Sequence, residues 1–220
     1  AMGNHWVYCT IEPRTPPEAA FGRVPENLQY ANDYSFVSKY CDRVVIMAYD
    51  QGTIDLQLNK AAASVPYMPI ADPLWVEKVV KLTAESIPKR KIIIGIPTYG
   101  YEYVVTPLAE GYRYERQWAF NPQYAIDLLR QFNLTPQRNR AGEMSFTYIA
   151  TTSPLYTGAG LAAGPSFSGG TVSYNLVWWS DAVAIQQKIS LAKKLGVRGV
   201  AIFKLDGSHD PKLWDILLGN

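Results

Sequence analysis

The chain has 220 residues, of which 21 are basic and 19 acidic, giving a net charge of +2 at pH 7. This near balance, without any basic cluster, gives no electrostatic basis for binding nucleic acid or an anionic membrane. No apolar stretch approaches the roughly 20 residues that cross a bilayer. At 48% hydrophobic residues, the chain has material for one domain, or for one domain with a sizeable insertion.

Three residue types, Cys, Tyr and Trp, limit what a binding site in this chain could contain. Cys9 and Cys41 cannot make a zinc site by themselves, and neither a metal nor a cofactor is predicted. Their spacing does not indicate a disulfide between them, and whether they form one stays open. Free thiols are favoured, because free cysteine usually packs as a small apolar side chain. The 15 Tyr and 6 Trp residues either line a ligand groove or fill the core.

Strand and helix patterns alternate along the first hundred residues. The apolar run HWVYCTIEP begins at His5, and after the Pro-rich RTPPEAAFGRVP a helix is predicted over 26–41. The next strand, RVVIMAYD, ends at Asp50 and is followed by a long loop and a helix over 74–88. A third strand is predicted over KIIIGIPTYGYEY, residues 91–103.

The alternation resumes only towards the C-terminus. Residues 102–176 contain short alternating runs, the helical pattern PQYAIDLLRQF and the Gly- and Ser-rich TGAGLAAGPSFSGG, which predict a small α+β subdomain ending in a flexible loop. A helix follows over 180–196, with Ser180 or Asp181 as N-cap and Gly196 at its end, and then a fourth strand, VRGVAIFKL. This order predicts an α/β fold with a parallel sheet, right-handed crossovers and the subdomain above the C-terminal strand ends.

The end of the second strand is the first candidate for chemistry. A near-continuous apolar run such as RVVIM is typical of a parallel strand buried on both faces, and α/β folds place their sites in the loops after such strands. Tyr49 and Asp50 are therefore candidates for ligand contact. The alternative is that they end the strand and cap a turn before Gly52.

Three stretches together resemble the last three barrel strands of the family 18 glycoside hydrolases, the chitinase-like TIM barrels. They are DRVVIMAYDQ, RKIIIGIPTYGYEY and GVRGVAIFKLDGSHDPKLW, which carry Met-x-Tyr-Asp and Gly-x-Pro-x-Tyr-Gly. HWVYCTIEPRTPP is similar to the family's fifth strand, and the branch with spore-cortex and peptidoglycan hydrolases is the most similar. The resemblance implies that residues 1–101 and 177–220 form half of a (β/α)8 barrel, strands five to eight, with 102–176 as an inserted α+β subdomain.

The same comparison indicates what the chain lacks. The family carries Asp-x-x-Asp-x-Asp-x-Glu on its fourth strand, and that Glu is the general acid; no such spacing occurs in these 220 residues. Glu12 matches the fifth strand and is not given that role. A complete barrel usually needs about 250 residues. We therefore expect no catalytic residue in this chain and little activity from the chain alone.

The resemblance implies sugar binding for the residues that remain. In this family the substrate's own acetamido oxygen attacks the anomeric carbon. Tyr49 resembles the Tyr that hydrogen-bonds this acetamide, and Asp50 resembles the acid beside it. The other predicted substrate-binding residues are Met47, Tyr99, Tyr101, Trp178 and Phe203, of which the last stands where the family usually has Trp.

Two functions follow as alternatives. One is the C-terminal portion of a glycoside hydrolase acting on an N-acetylated glycan, chitin or peptidoglycan; the other is a non-catalytic glycan-binding or structural module. Because a half-barrel has open edges, we expect a homo-oligomer, most simply a two-fold dimer, unless the subdomain or an N-terminal segment folds over the open face. The opening Ala-Met-Gly resembles a cloning remnant and indicates no localisation, whereas the resemblance implies a secreted or cell-envelope parent protein.

Overall fold

Two β-sheets of different kinds organise the chain in the computed structural model, which describes residues 5–149, 172–207 and 210–218. The first sheet consists of β1 (Tyr8–Ile11), β2 (Arg43–Ile46), β3 (Ile92–Pro97) and β9 (Gly199–Phe203). All its neighbours are parallel, and the order β1-β2-β3-β9 is the order along the chain. The predicted α/β class and the four parallel strands in sequence order are thereby confirmed.

The second sheet is antiparallel. It consists of β4 (Gly100–Pro107), β5 (Tyr112–Phe120), β6 (Gln137–Arg138), β7 (Met144–Tyr148) and β8 (Tyr174–Trp179), in the order β5-β4-β8-β7-β6. It extends slightly beyond both ends of the predicted insertion at 102–176, whose status as a separate subdomain stays a prediction. The Gly- and Ser-rich stretch at 157–170, predicted as a flexible loop, lies outside the described residues.

Seven α-helices are described. They are α1 (Pro17–Ala20), α2 (Tyr34–Tyr40), α3 (Leu56–Ala61), α4 (Pro73–Ala84), α5 (Pro122–Phe132), α6 (Ala182–Leu195) and α7 (Leu213–Leu218), with a 3₁₀ turn at Lys89–Lys91. Both predicted ends of α6 are confirmed: the Asp181 carboxylate accepts the N–H of Ala184, and Gly196 ends the helix in the left-handed conformation. Asp181, not Ser180, is the cap. No described helix is long and apolar enough to cross a membrane.

Some predicted elements are longer in the sequence pattern than in the structure. The helix predicted over 26–41 begins only at Tyr34, because the Asp33 carboxylate accepts the N–H groups of Ser35 and Phe36 and starts the helix there. Residues 51–73, predicted as a loop, contain α3, whose first turn is capped by Asp55.

The strand predicted through Asp50 is also shorter. Its ladder ends at Ile46, after which the N–H groups of Ala48 and Tyr49 each donate to the carbonyl two residues back. The run 91–103 is divided between the two sheets, because the chain turns after Pro97 and enters β4 at Gly100. A Cβ atom at position 100 would lie 2.5 Å from the Trp178 carbonyl oxygen, so only glycine lets β4 and β8 approach this closely.

The two faces of the parallel sheet differ in burial. Val44, Ile46, Ile92 and Ile94 are fully buried and belong to one core with α4 and α6. The alternate residues of the same strands form the inner face, on which side chains such as Val45 and Ile93 are only half-buried. At the two edges of this face, Tyr8 is 60% exposed and Phe203 is 49% exposed. The sheet is therefore covered by helices on one side and is partly open on the other.

A disulfide joins Cys9 in β1 to Cys41, shortly before β2. The free form that the sequence favours is therefore wrong. β1 and β2 pair in register, with Cys9 opposite Val44, so the end of α2, just before β2, is brought back beside β1. The physical reason is tertiary: pairing of two strands separated by a helix places the two sulfur atoms together, which residue spacing does not reveal.

Candidate functional site

The carboxylate of Asp50 is the centre of the site. The hydroxyls of Tyr99 and Tyr101 both donate to its Oδ1, at 2.5 and 2.8 Å. Its Oδ2 accepts no hydrogen bond from the part of the chain that the structure describes, and the residue is exposed. One oxygen is thus fixed by the protein, while the other is available as an acceptor for a ligand N–H or O–H.

The backbone at Asp50 is held in an unusual conformation. Its φ is 60°, in the left-handed region that residues other than glycine seldom adopt. The next two N–H groups fix the turn: Gln51 donates to the Ile70 carbonyl and Gly52 to the Pro69 carbonyl, both at 3.0 Å. Such strain persists only where neighbouring contacts hold it, and it is common at functional sites.

An aromatic cluster lies beside this carboxylate. The rings of Tyr49 and Phe203 stack with centroids 5.3 Å apart, and the edge of Tyr99 meets both rings. Tyr49 has room because residue 95 is glycine: a Cβ there would lie 3.0 Å from the Tyr49 ring and 2.8 Å from the Ile46 carbonyl oxygen. The half-exposed Phe203 ring extends this apolar surface to solvent, where it could stack on a sugar face.

The phenols of the site keep their protons at neutral pH. Burial, followed by the hydrogen bond to Asp50, raises the pKa of Tyr101 to about 12 and raises the pKa of Tyr99 further still. Burial and then the negative charge of Asp50 raise the pKa of Tyr49. All three hydroxyls are therefore hydrogen-bond donors, and none of them is a general base at neutral pH.

Stability is expected to fall at alkaline pH. Burial is the main cause that raises the pKa of Tyr101, Tyr114 and Tyr124 to about 12 each, above the value of 10.0 for an unfolded chain. The folded state keeps protons that the unfolded state releases, so this stabilisation is complete below about pH 10 and is lost as the pH rises towards about 12. Urea unfolding midpoints across this range measure the loss, which Tyr124→Phe should make shallower; a constant midpoint contradicts the prediction.

The structure places the other two predicted site residues differently. Met47 is half-buried on the inner face of the parallel sheet, and its N–H donates to the Ile11 carbonyl at 3.0 Å. Trp178 is only 2% exposed, and its indole N–H donates to Glu143 at 2.7 Å. Trp178 therefore lies behind the site rather than at its surface. The sugar contacts of both residues stay predictions.

Sequence reasoning missed a buried polar network directly behind Asp50. The Tyr67 hydroxyl donates to Asp72 at 2.7 Å and accepts from the Gln51 amide at 3.4 Å, and Gln51 Oε1 accepts the Asp72 N–H at 2.8 Å. Burial raises the pKa of Asp72 despite the hydrogen bond from Tyr67. Asp72 could have been found as the N-cap before Pro73, but nothing in the sequence pairs it with Gln51.

Trp178 also lines a cavity of about 930 Å³. Asp50 does not line it; its walls include Tyr67, Tyr174, Leu176 and Arg138. Among the described residues, no group of three or more His, Cys, Asp or Glu side chains is placed to hold a metal ion. The arrangement around Asp50 is a candidate binding site built from one carboxylate, phenols and aromatic faces.

Comparisons with known proteins agree on one family. The sequence-family model described as glycosyl hydrolases family 18 matches residues 18–208. The cortical fragment-lytic enzyme of Bacillus subtilis (strain 168) is 29% identical over 187 residues, which are 85% of this chain and 36% of that protein.

Two solved structures share the fold. The Bacillus cereus spore cortex-lytic enzyme SleL matches with a TM-score of 0.69 at 24% identity, over 99% of this chain and 42% of that one. A plant class V chitinase mutant from Cycas revoluta in complex with (GlcNAc)3 matches with a TM-score of 0.56 at 11% identity, over 90% of this chain and 50% of that one. The chain spans less than half the length of the curated relatives it matches. Because the family model covers most of its residues, the chain belongs to the glycosyl hydrolases of family 18.

Proposed function

We propose that this chain is the C-terminal portion of a family 18 glycoside hydrolase and that the Asp50 site holds an N-acetylglucosamine unit of its glycan. The observation that carries the proposal is the convergence of Tyr99 and Tyr101 on one Asp50 oxygen, which leaves the other oxygen open. An amide N–H of an acetamido group is a suitable donor to that oxygen. Tyr49 and Phe203 offer stacked aromatic faces beside it.

In the proposed mechanism the substrate supplies its own nucleophile. The acetamido oxygen attacks the anomeric carbon, Asp50 and Tyr49 hold the acetamide, and a carboxylic acid protonates the leaving oxygen. These 220 residues contain no Asp-x-Asp-x-Glu to supply that acid. We therefore propose that the chain by itself binds glycan and turns it over poorly. The alternative is a non-catalytic glycan-binding module. It would use the same site, but no general acid would be supplied to it.

Binding is tested by replacing Asp50 with Asn, which tolerates the left-handed backbone and keeps an oxygen for the two phenols. The open acceptor then becomes an amide, so affinity for chitotetraose is expected to fall by about tenfold or more, the typical value of a hydrogen bond to a charged group. Isothermal titration calorimetry measures it. Asp127→Asn, at an exposed carboxylate on α5, is the control that should bind as the unaltered chain does. Equal affinity in the Asp50 variant would remove Asp50 from the site.

We further infer that two copies of the chain cover each other's inner sheet faces. β1 and β9 are the edge strands of the parallel sheet, and the half-buried apolar inner face between them is the kind of surface that a dimer buries. In this interpretation the parallel strands correspond to strands five to eight of a barrel.

Light scattering across a wide concentration range tests this inference. A mass near twice 24.6 kDa is expected. A persistent monomer that binds little hydrophobic dye would instead indicate that the chain covers its own open face.

A further inference from the structure

We propose that Glu143 and Lys188 form a buried positioning pair that sets the geometry of the Asp50–Tyr101 hydrogen bond without contacting a ligand. Neither side chain is exposed, and the Lys188 ammonium lies 3.2 Å from Glu143 Oε1. Glu143 lies just before β7 in the antiparallel sheet, whereas Lys188 belongs to α6, which packs on the parallel sheet. The pair therefore joins the two sheets behind the site.

Glu143 reaches Asp50 through one short loop. Its two oxygens accept the N–H groups of Ile70 and Ala71, at 2.9 and 3.1 Å. The Ile70 carbonyl in turn accepts the Gln51 N–H at 3.0 Å, directly after the strained Asp50. Two hydrogen bonds thus separate the Glu143 carboxylate from the backbone that aims Asp50.

Glu143 reaches Tyr101 from the other side. Its Oε2 accepts the Trp178 indole N–H at 2.7 Å, and Trp178 pairs directly with Tyr101 across β8 and β4. Glu143 is therefore connected to both residues of the Asp50–Tyr101 bond, which is 2.8 Å long. Moving this carboxylate would shift the acceptor and the donor relative to each other.

A neutral residue could not replace Glu143 without the loss of hydrogen bonds. The Glu143 carboxylate accepts four donors, from Ile70, Ala71, Trp178 and Lys188, and a glutamine has one acceptor oxygen in place of two. Lys188 supplies the countercharge that lets the carboxylate stay in the dry interior. No other ion pair among the described residues has both side chains fully buried.

The test measures the site without using a glycan. In Glu143→Gln/Lys188→Met both charges are removed together, so the fold is retained while the carboxylate contacts are lost. Tyrosine labelled with ¹³C at Cζ reports ionisation of Tyr101, whose signal is assigned with Tyr101→Phe. The pKa of Tyr101, raised to about 12 by burial and then by its bond to Asp50, is expected to fall towards the value in Asp50→Asn. Tyr99, Tyr103 and Arg116 also face this ring and are unchanged in the variant.

Tyr148→Phe is the matched control, because it removes a partly buried hydrogen bond to Glu102, whose side chain lies on the opposite face of β4 from Tyr101. It should leave the titration of Tyr101 unchanged. If the double variant lacks a cooperative thermal transition, the same titration is measured in Trp178→Phe, which removes the indole donor to Glu143 together with part of the ring. The proposal is overturned if the double variant folds and its Tyr101 titrates as in the unaltered chain. If the double variant does not fold, the same result in a folded Trp178→Phe overturns it.

Glycan binding is a second readout and rests on the proposed function. We expect the double variant to bind chitotetraose about fivefold more weakly, the effect of one buried hydrogen bond. If Tyr101 responds but neither chain binds chitotetraose, the proposed function fails and the positioning role stands. If the unaltered chain binds and the double variant changes neither readout, the positioning role fails and the proposed function stands.

Discussion

Chitotetraose hydrolysis by the isolated chain is expected to be at least about 10²-fold slower than hydrolysis by a complete family 18 chitinase. General acid catalysis contributes typically about 10² to 10⁴-fold, and these 220 residues contain no Asp-x-Asp-x-Glu to provide it. Asp50, Tyr99 and Tyr101 cannot replace it: the phenols are held protonated with high pKa values, and Asp50 Oδ1 is occupied by their hydroxyls. On the proposed function, the site would bind sugar without protonating the leaving oxygen.

The measurement is the rate of release of shorter oligosaccharides by the two proteins, assayed in parallel and followed by chromatography. Asp50→Asn serves as the control for contamination, because activity that persists unchanged in this variant does not come from the site. Turnover near the rate of the complete enzyme, lost in Asp50→Asn, would mean that another carboxyl group of this chain acts as the acid.

Lys188→Met is expected to lower the free energy of unfolding by about 3–5 kcal/mol, the typical effect of removing one partner of a buried ion pair. The Glu143 carboxylate stays in place at 0% exposure, held by Ile70, Ala71 and Trp178, but loses the one cation that pairs with it among the described residues. An uncompensated charge in a dry interior is far more costly than the loss of the attraction itself. Glu143→Gln/Lys188→Met should recover most of the lost stability, because no charge then stays buried.

Urea unfolding of the three chains measures these differences. Lys194→Met is the matched control on the same helix: the Lys194 side chain is 68% exposed and pairs with Glu77, so its removal should change stability by no more than about 1 kcal/mol. Equal effects of the Lys188 and Lys194 substitutions would mean that water reaches the Glu143–Lys188 pair.

Much of this fold could be predicted because it depends on local patterns. Apolar runs such as RVVI and IIIGIP form parallel strands because their side chains are too apolar to face water on either side. Asp181 and Gly196 begin and end α6 through hydrogen bonds to residues within one turn. Where the pattern was wrong, a nearby cap or turn decided the outcome, as Asp33 did for α2.

The candidate site, too, was partly predictable from the sequence and partly decided by the tertiary structure. The family resemblance that Met-x-Tyr-Asp and Gly-x-Pro-x-Tyr-Gly carry makes Asp50, Tyr99 and Tyr101 candidates. The structure brings all three together, because a turn after Pro97 carries the tyrosines from one sheet to the next over the end of β2. Their role in holding a glycan stays a prediction, to be decided by binding.

The sequence by itself determined the four parallel strands in their order, both ends of α6 and the family motifs, because those depend on side chains close together along the chain. Only the tertiary structure decided the Cys9–Cys41 bridge, the Gln51–Tyr67–Asp72 network and the Glu143–Lys188 pair. The partners in these contacts are up to 45 residues apart, and no local sequence pattern pairs one with the other. The polar groups become partners because burial removes water and leaves each of them to find another within hydrogen-bond distance, whereas the two cysteines meet because β1 pairs with β2.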